Sequence, residues 1–210
     1  MSDDDPMVFV VDDDSRVREA LTSLLLSFGL QVQSFPTARA FLEAEKPDAP
    51  ACLVLDLELP DIDGLELQQE LASTIGPPIV FITGHGDIPS SVRAMKAGAV
   101  EFLSKPFGEE ELMNAIHQAI ALDRTARQQR SEVAELKRHY DRLTPREREV
   151  LPFVIAGFLN KQTASDLGTS EMTIGVHRGQ IMRKMGARSL GELMRMADKL
   201  RLRPHRPLSK

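Results

Sequence analysis

Val8-Phe9-Val10-Val11-Asp12-Asp13-Asp14-Ser15-Arg16 sets four apolar residues directly ahead of three carboxylates, and a helical pattern follows. Unbroken apolar residues without alternation suit a strand buried on both faces. From Arg16 to Phe28, the residues Val17, Leu21, Leu24, Leu25 and Phe28 recur at helical spacing. Further strands are read at Gln31 to Phe35, Cys52-Leu53-Val54-Leu55, Ile79-Val80-Phe81-Ile82 and Phe102-Leu103. Thr37 is placed to cap a second helix, Gly64 precedes a third and Pro89 starts a fourth. Five strands alternating with five helices predict an α/β, doubly wound, five-stranded parallel sheet covered on both faces. Such sheets bind ligands at the carboxyl ends of their strands.

Those ends carry the chemistry. Asp12, Asp13 and Asp14 follow the first strand, and Asp56 ends the third. Carboxylates brought to one edge repel each other unless a cation sits between them. Oxygen ligands with open positions suit Mg²⁺, which readily accepts phosphate oxygens. Thr83 ends the fourth strand and can donate its hydroxyl to a phosphoryl oxygen, while Lys105, after the fifth, supplies positive charge. A nucleophilic carboxylate, a metal, a hydroxyl and an ammonium together make a phosphoryl-transfer site. The haloacid-dehalogenase phosphatases also use a nucleophilic Asp, but they need a second Asp two positions on, where this chain has Glu58.

The set Val10-Val11-Asp12-Asp13, Leu55-Asp56, Leu59-Pro60, Asp63-Gly64, Thr83-Gly84 and Lys105-Pro106-Phe107 resembles the receiver domain of two-component response regulators. Phe81-Ile82-Thr83-Gly84-His85-Gly86-Asp87-Ile88-Pro89 and Met95-Lys96-Ala97-Gly98-Ala99 are similar to its FixJ branch. The resemblance implies a flavodoxin-like strand order 2-1-3-4-5 and phosphate acceptance by Asp56 from a sensor histidine kinase. It implies Mg²⁺ held by Asp13, Asp56 and the Glu58 backbone carbonyl, with Asp12 acting mostly through water. Thr83 and Lys105 would hold the phosphoryl group, and Phe102 falls at the switch aromatic, where it can act only by repacking. The Lys105–Pro106 bond is expected to be cis. A homodimer formed on phosphorylation is also implied.

The remainder of the chain is all-helical and basic. Residues 1–124 carry 8 Lys+Arg against 22 Asp+Glu, whereas residues 125–210 carry 18 against 9. That asymmetry points to a module that meets nucleic acid beside one that does not. Glu109 to about Tyr140 stays helical, with Val133, Leu136, Tyr140 and Leu143 forming a short heptad-like stripe. Thr144-Pro145-Arg146-Glu147 and Ser189-Leu190-Gly191-Glu192 read as capping boxes, and Asn160 and Ser170 as further caps. The helices flanking Gly168-Thr169 form a helix-turn-helix. Leu143 to Leu151, Asn160-Lys161-Gln162, Thr173 to His177, Ile181 to Met185 and Arg188-Ser189-Leu190 resemble the LuxR/NarL-type DNA-binding domain. The expected organisation is a receiver at 1–124, a helical linker at 125–141 and the helix-turn-helix domain at 142–210.

Within the third helix of that domain, Ile174, Ile181 and Met185 share a core stripe. The opposite face carries Met172, Gly175, Val176, Gly179, Gln180 and Arg183 toward the major groove; Arg178, which with His177 flanks the core stripe, is counted with the DNA-binding residues. Lys161, Thr173 and Lys184 are placed for phosphates, and His177 reads as a structural residue. Two features depart from the family pattern: Gly175 stands where most members have lysine, and Pro152 falls inside the first helix. Each glycine on the reading face costs roughly 1 kcal/mol of helix propensity, and the proline about 3 kcal/mol. A C-terminal module that binds a protein instead of DNA is the competing reading.

Composition excludes other classes. Charged residues make up 27% and hydrophobic ones 42% of the 210, a folded, water-soluble balance. No apolar run approaches the ~18 residues of a membrane span, and the acidic start Met1 to Asp5 is no signal peptide. The lone Cys52 lies in the apolar run Ala51 to Leu55 and reads as core. A cytoplasmic regulator, not an enzyme, is expected.

Overall fold

The computed structural model describes residues 5–72, 74, 76–84 and 88–205. Met1 to Asp4 and His85-Gly86-Asp87 of the sequence reading lie outside the described residues. The chain divides into two compact units, Met1–Arg127 and Gln128–Lys210.

The first unit alternates strands and helices as the apolar runs predict. β1 (Met7–Val11), β2 (Gln31–Phe35), β3 (Ala51–Asp56), β4 (Ile79–Thr83) and β5 (Glu101–Ser104) form one sheet. All pairings are parallel, and the order is β2-β1-β3-β4-β5. α1 (Ser15–Ser27), α2 (Ala38–Glu43), α3 (Gly64–Ala72), α4 (Ile88–Lys96) and the long α5 (Glu109–Asp141) connect and follow the strands. Strand residues alternate between two cores. Phe9, Val11, Leu53, Leu55 and Phe81 pack with Phe41 of α2, Leu67 of α3 and Ala94 of α4. Val8, Val10, Cys52, Val54, Val80 and Ile82 pack with Leu21 and Leu25 of α1 and Leu112 and Ile116 of α5. Both sheet faces are therefore covered, which is why the strands read as unbroken apolar runs. Cys52 is fully buried, and burial pushes its thiol pKa above the ordinary range. Thr37 caps α2 as expected, and Lys105–Pro106 is cis.

The second unit holds α6 (Pro145–Ile155), α7 (Asn160–Asp166), α8 (Glu171–Met185) and α9 (Leu190–Lys199). Val150, Val154, Ala164, Ile174, Ile181, Met185, Leu193 and Ala197 form its core, and Tyr140 and Leu143 of the heptad-like stripe join them. Thr144 and Glu147 close the predicted capping box, and Ser170 and Ser189 cap α8 and α9. Asn160 is a correction: it is the first helical residue of α7, not its cap. The preceding Leu159 N–H is satisfied instead by Gln162 Oε1, 2.9 Å away. Gly168 takes a positive φ of 60° at the turn between α7 and α8, a conformation glycine adopts without steric cost. α6 starts at Pro145 and continues through Pro152. The chain returns to this point, where the His205 N–H donates to the Pro152 carbonyl and its ring stacks on Phe153. No helix among the described residues is long and apolar enough to cross a membrane.

Candidate functional site

β1 and β3 are neighbours, and the chain leaves them in opposite directions, so their carboxyl ends form the crevice of the sheet. Asp12 follows β1 and is fully buried; Asp56 ends β3 and is 6% exposed; Asp13 is exposed. One carboxylate oxygen from each lies within 4.8 Å of the others. The Lys105 ammonium reaches over from the end of β5, donating to Asp12 Oδ2 at 2.6 Å and Asp56 Oδ2 at 2.7 Å. The remaining oxygens are also held: Asp12 Oδ1 accepts from the Asp14 N–H, and Asp56 Oδ1 from the Glu58 N–H. Asp14 itself turns outward, caps α1 and pairs with Arg16, which lowers its pKa to about 2.

Thr83 is fully buried at the end of β4, and its carbonyl accepts from the Lys105 N–H at 2.7 Å. The hydroxyl-bearing residue and the ammonium-bearing residue are thus fixed beside each other by backbone. Phe102, half-buried on β5, packs on Phe81 with ring centroids 6.1 Å apart. Glu58 is exposed in the loop that follows Asp56.

The electrostatics of this group are opposed. Burial pushes the Asp56 carboxyl up, and although Lys105 pulls the other way, the pKa stays above the ordinary range. Burial disfavours the charged Lys105, yet Asp12 and Asp56 outweigh it and raise its pKa. Three carboxylates against one ammonium leave net negative charge in a partly buried pocket. An all-oxygen set of this kind fits a hard cation such as Mg²⁺.

The reason for Gly64 lies in packing that leaves no local signal in the sequence. A Cβ there would lie 2.7 Å from the Asp56 carbonyl and 3.1 Å from Leu57 Cα. The start of α3 is packed on the backbone that carries Asp56, and only glycine permits that approach.

The second unit presents α8. Ile174, Ile181 and Met185 are buried as predicted, while Met172 is 82% and Val176 58% exposed. Gly179 and Arg183 are exposed, Gln180 is half-buried, and Arg183 donates to Gln180 Oε1. Lys161 is exposed at the start of α7, and the exposed Thr173 shares a hydrogen bond with Ser170. Arg178 donates to the Phe158 carbonyl at 2.8 Å. Lys184 is placed otherwise than expected: its ammonium lies 2.9 and 2.7 Å from the two oxygens of buried Glu147. His139 of α5, which sequence reading did not single out, has Nδ1 3.2 Å from the Met185 carbonyl. In the tautomer that protonates Nδ1, it satisfies a carbonyl at the C-terminal end of α8.

Sheet and site together have the form of a receiver domain, here in one chain with a helix-turn-helix module. Residues 8–117 match the response regulator receiver domain, and residues 141–197 match the luxR family of bacterial regulatory proteins. The chain belongs to the response regulators of two-component systems that carry a luxR-type DNA-binding domain. It is 50% identical to nodulation protein W of Bradyrhizobium diazoefficiens over 195 residues, 92% of this chain and 86% of that one. Response regulator protein TmoT of Ectopseudomonas mendocina is 46% identical over 203 residues, 96% of this chain and 92% of the relative. Among solved structures, response regulator StyR is 49% identical with a TM-score of 0.82, covering 93% of this chain and 99% of that one.

Proposed function

We propose that Asp56 accepts a phosphoryl group from a sensor histidine kinase and that this modification controls DNA binding by the C-terminal module. The observation that carries the reading is the Lys105 ammonium bridging Asp12 and Asp56 at the carboxyl edge of the sheet. In the transfer, an Asp56 carboxylate oxygen forms a bond to phosphorus while the phosphorus–nitrogen bond of the donor phosphohistidine breaks. The imidazole leaves with the electron pair and takes a proton. Mg²⁺, held by Asp13, Asp56 and the Glu58 carbonyl, with Asp12 through water, would neutralise charge on the phosphoryl oxygens. Thr83 and Lys105 hold the added group, whose charge of about −2 draws Thr83 inward and repacks Phe102.

Phosphorylation then favours a homodimer through the receiver. An exposed apolar stripe on α4, Ile88 at 80%, Val92 at 43% and Met95 at 43%, supports this. The receiver occupies 1–124, the helical linker 125–141 and the DNA-binding module 142–210. Val176, Gln180 and Arg183 face the bases, with Lys161, Thr173 and Arg178 toward the backbone; Lys184 contributes by tying α8 to α6. The protein works in the cytoplasm, where its double-stranded target is, and as a regulator without catalytic turnover.

Labelling with acetyl phosphate tests the site directly. Wild-type protein with Mg²⁺ is expected to shift on a phosphate-affinity gel, and removal of Mg²⁺ by chelation to stop the shift. Asp56→Asn should abolish it. Undiminished labelling of that variant would move the phosphoacceptor elsewhere.

A further inference from the structure

Helical geometry puts the core stripe of α8, Ile174, Ile181 and Met185, on one side and Met172, Val176, Gly179 and Arg183 on the outermost line opposite. Along the N-terminal half of that line there is no hydrogen-bonding side chain. Met172 and Val176 are both strongly exposed, at 82% and 58%. Thr173, which flanks them, has its hydroxyl engaged by Ser170. A Cβ at Gly179 would meet nothing within 4 Å, so this part of the helix surface is bare backbone. The polar groups lie further along, where Arg183 is already tied to Gln180.

In the major groove, an apolar side chain has one base-specific partner, the C5-methyl group of thymine. Guanine and adenine present donors and acceptors there, and cytosine a donor beside a bare C5–H with no methyl. Apolar groups pressed on those edges would leave them desolvated and unpaired. Gly179, lacking a side chain, lets the helix sit deep enough for Val176 to reach a methyl.

We propose that α8 selects its site by thymine methyls, with Met172 and Val176 as the reading side chains and Gly179 permitting close approach. This rests on the DNA-binding reading above and specifies what the module recognises.

The test separates the two. A duplex is first selected from a random library with the full-length protein, activated by Mg²⁺ and beryllium fluoride. Each thymine of the selected site is then replaced singly by deoxyuridine. An A·U pair keeps every hydrogen-bonding group and loses only the methyl. Fluorescence anisotropy should show affinity falling about fourfold at one or more thymines, the worth of a buried methyl. In Val176→Ala and Met172→Ala that thymine-to-uracil ratio should approach one at the matching positions, with the salt dependence of binding retained. Both side chains are exposed, so circular dichroism should show an unchanged fold. Selective binding with no effect of deoxyuridine at any position would overturn the methyl reading and leave DNA binding standing. Failure to select any duplex would overturn both.

Discussion

Lys105 is the residue on which the first unit's pocket balances. Its side chain is 23% exposed, whereas the Asp12 carboxylate it meets is completely buried. Breaking a fully buried ion pair costs roughly 3–5 kcal/mol because one charge is left uncompensated. Here Asp12 also accepts the Asp14 N–H, and Asp13 is open to water, so a smaller penalty is expected. Lys105→Met should therefore lower stability by about 2 kcal/mol in chelator. The same variant leaves three carboxylates with no ammonium among them, so it should bind Mg²⁺ more tightly than wild type. Because a ligand bound only to the folded state stabilises it by mass action, added Mg²⁺ should raise the variant's Tm more than the wild type's. Equal Tm shifts in a thermal titration would show that the ammonium and the cation do not share these carboxylates.

At the scale of elements, α6 and α8 are joined by one buried ionic contact. Glu147 closes the capping box of α6 through the Thr144 N–H and takes both its oxygens to Lys184 of α8. Burial pushes the Glu147 carboxyl up, but Lys184 and the Thr144 N–H outweigh it and leave the pKa below the ordinary glutamate value. A carboxylate depressed in the folded state contributes stability that is present above its unfolded pKa and lost as pH falls through the folded one. The contribution of this contact to unfolding free energy should thus be fully present above about pH 5.5 and decline on acidification below pH 4.5. Glu147→Gln should lose about 2 kcal/mol near neutrality and show a shallower acid limb. Chemical denaturation across pH reads both, and parallel acid limbs in variant and parent would assign the acid loss to other carboxylates.

This contact also marks where the sequence was legible. Thr37, Thr144, Ser170 and Ser189 could be read as caps because cap chemistry is local to a single turn. The strand-end residues Asp12, Asp56, Thr83 and Lys105 could be read because a doubly wound sheet brings all such ends to one edge. Partners far apart in the chain left no local signal. Lys184 lies in a basic run that suggests phosphate contact, and nothing near it names Glu147, 37 positions away. The approach of His139 to Met185 and of His205 to Phe153 was hidden for the same reason.

For the whole molecule, the charge division bears on what activation does. The segment beyond residue 124 carries twice as many cations as anions, while the segment before it is strongly acidic. The electrostatic part of binding to duplex DNA is therefore expected to come from the basic segment, with a log–log salt slope of about −0.9 per phosphate neutralised. A monomer brings one such segment to the duplex, and a receiver-linked dimer brings two. If activation works by pairing receivers, the slope measured with Mg²⁺ and beryllium fluoride should be about twice that of the resting protein. If it works within a single chain, affinity should rise with the slope unchanged, because the number of neutralised phosphates stays the same. An anisotropy titration of one duplex across a salt series separates these outcomes. The expected doubling follows from the exposed apolar stripe Ile88, Val92 and Met95, which a second copy of the receiver would cover.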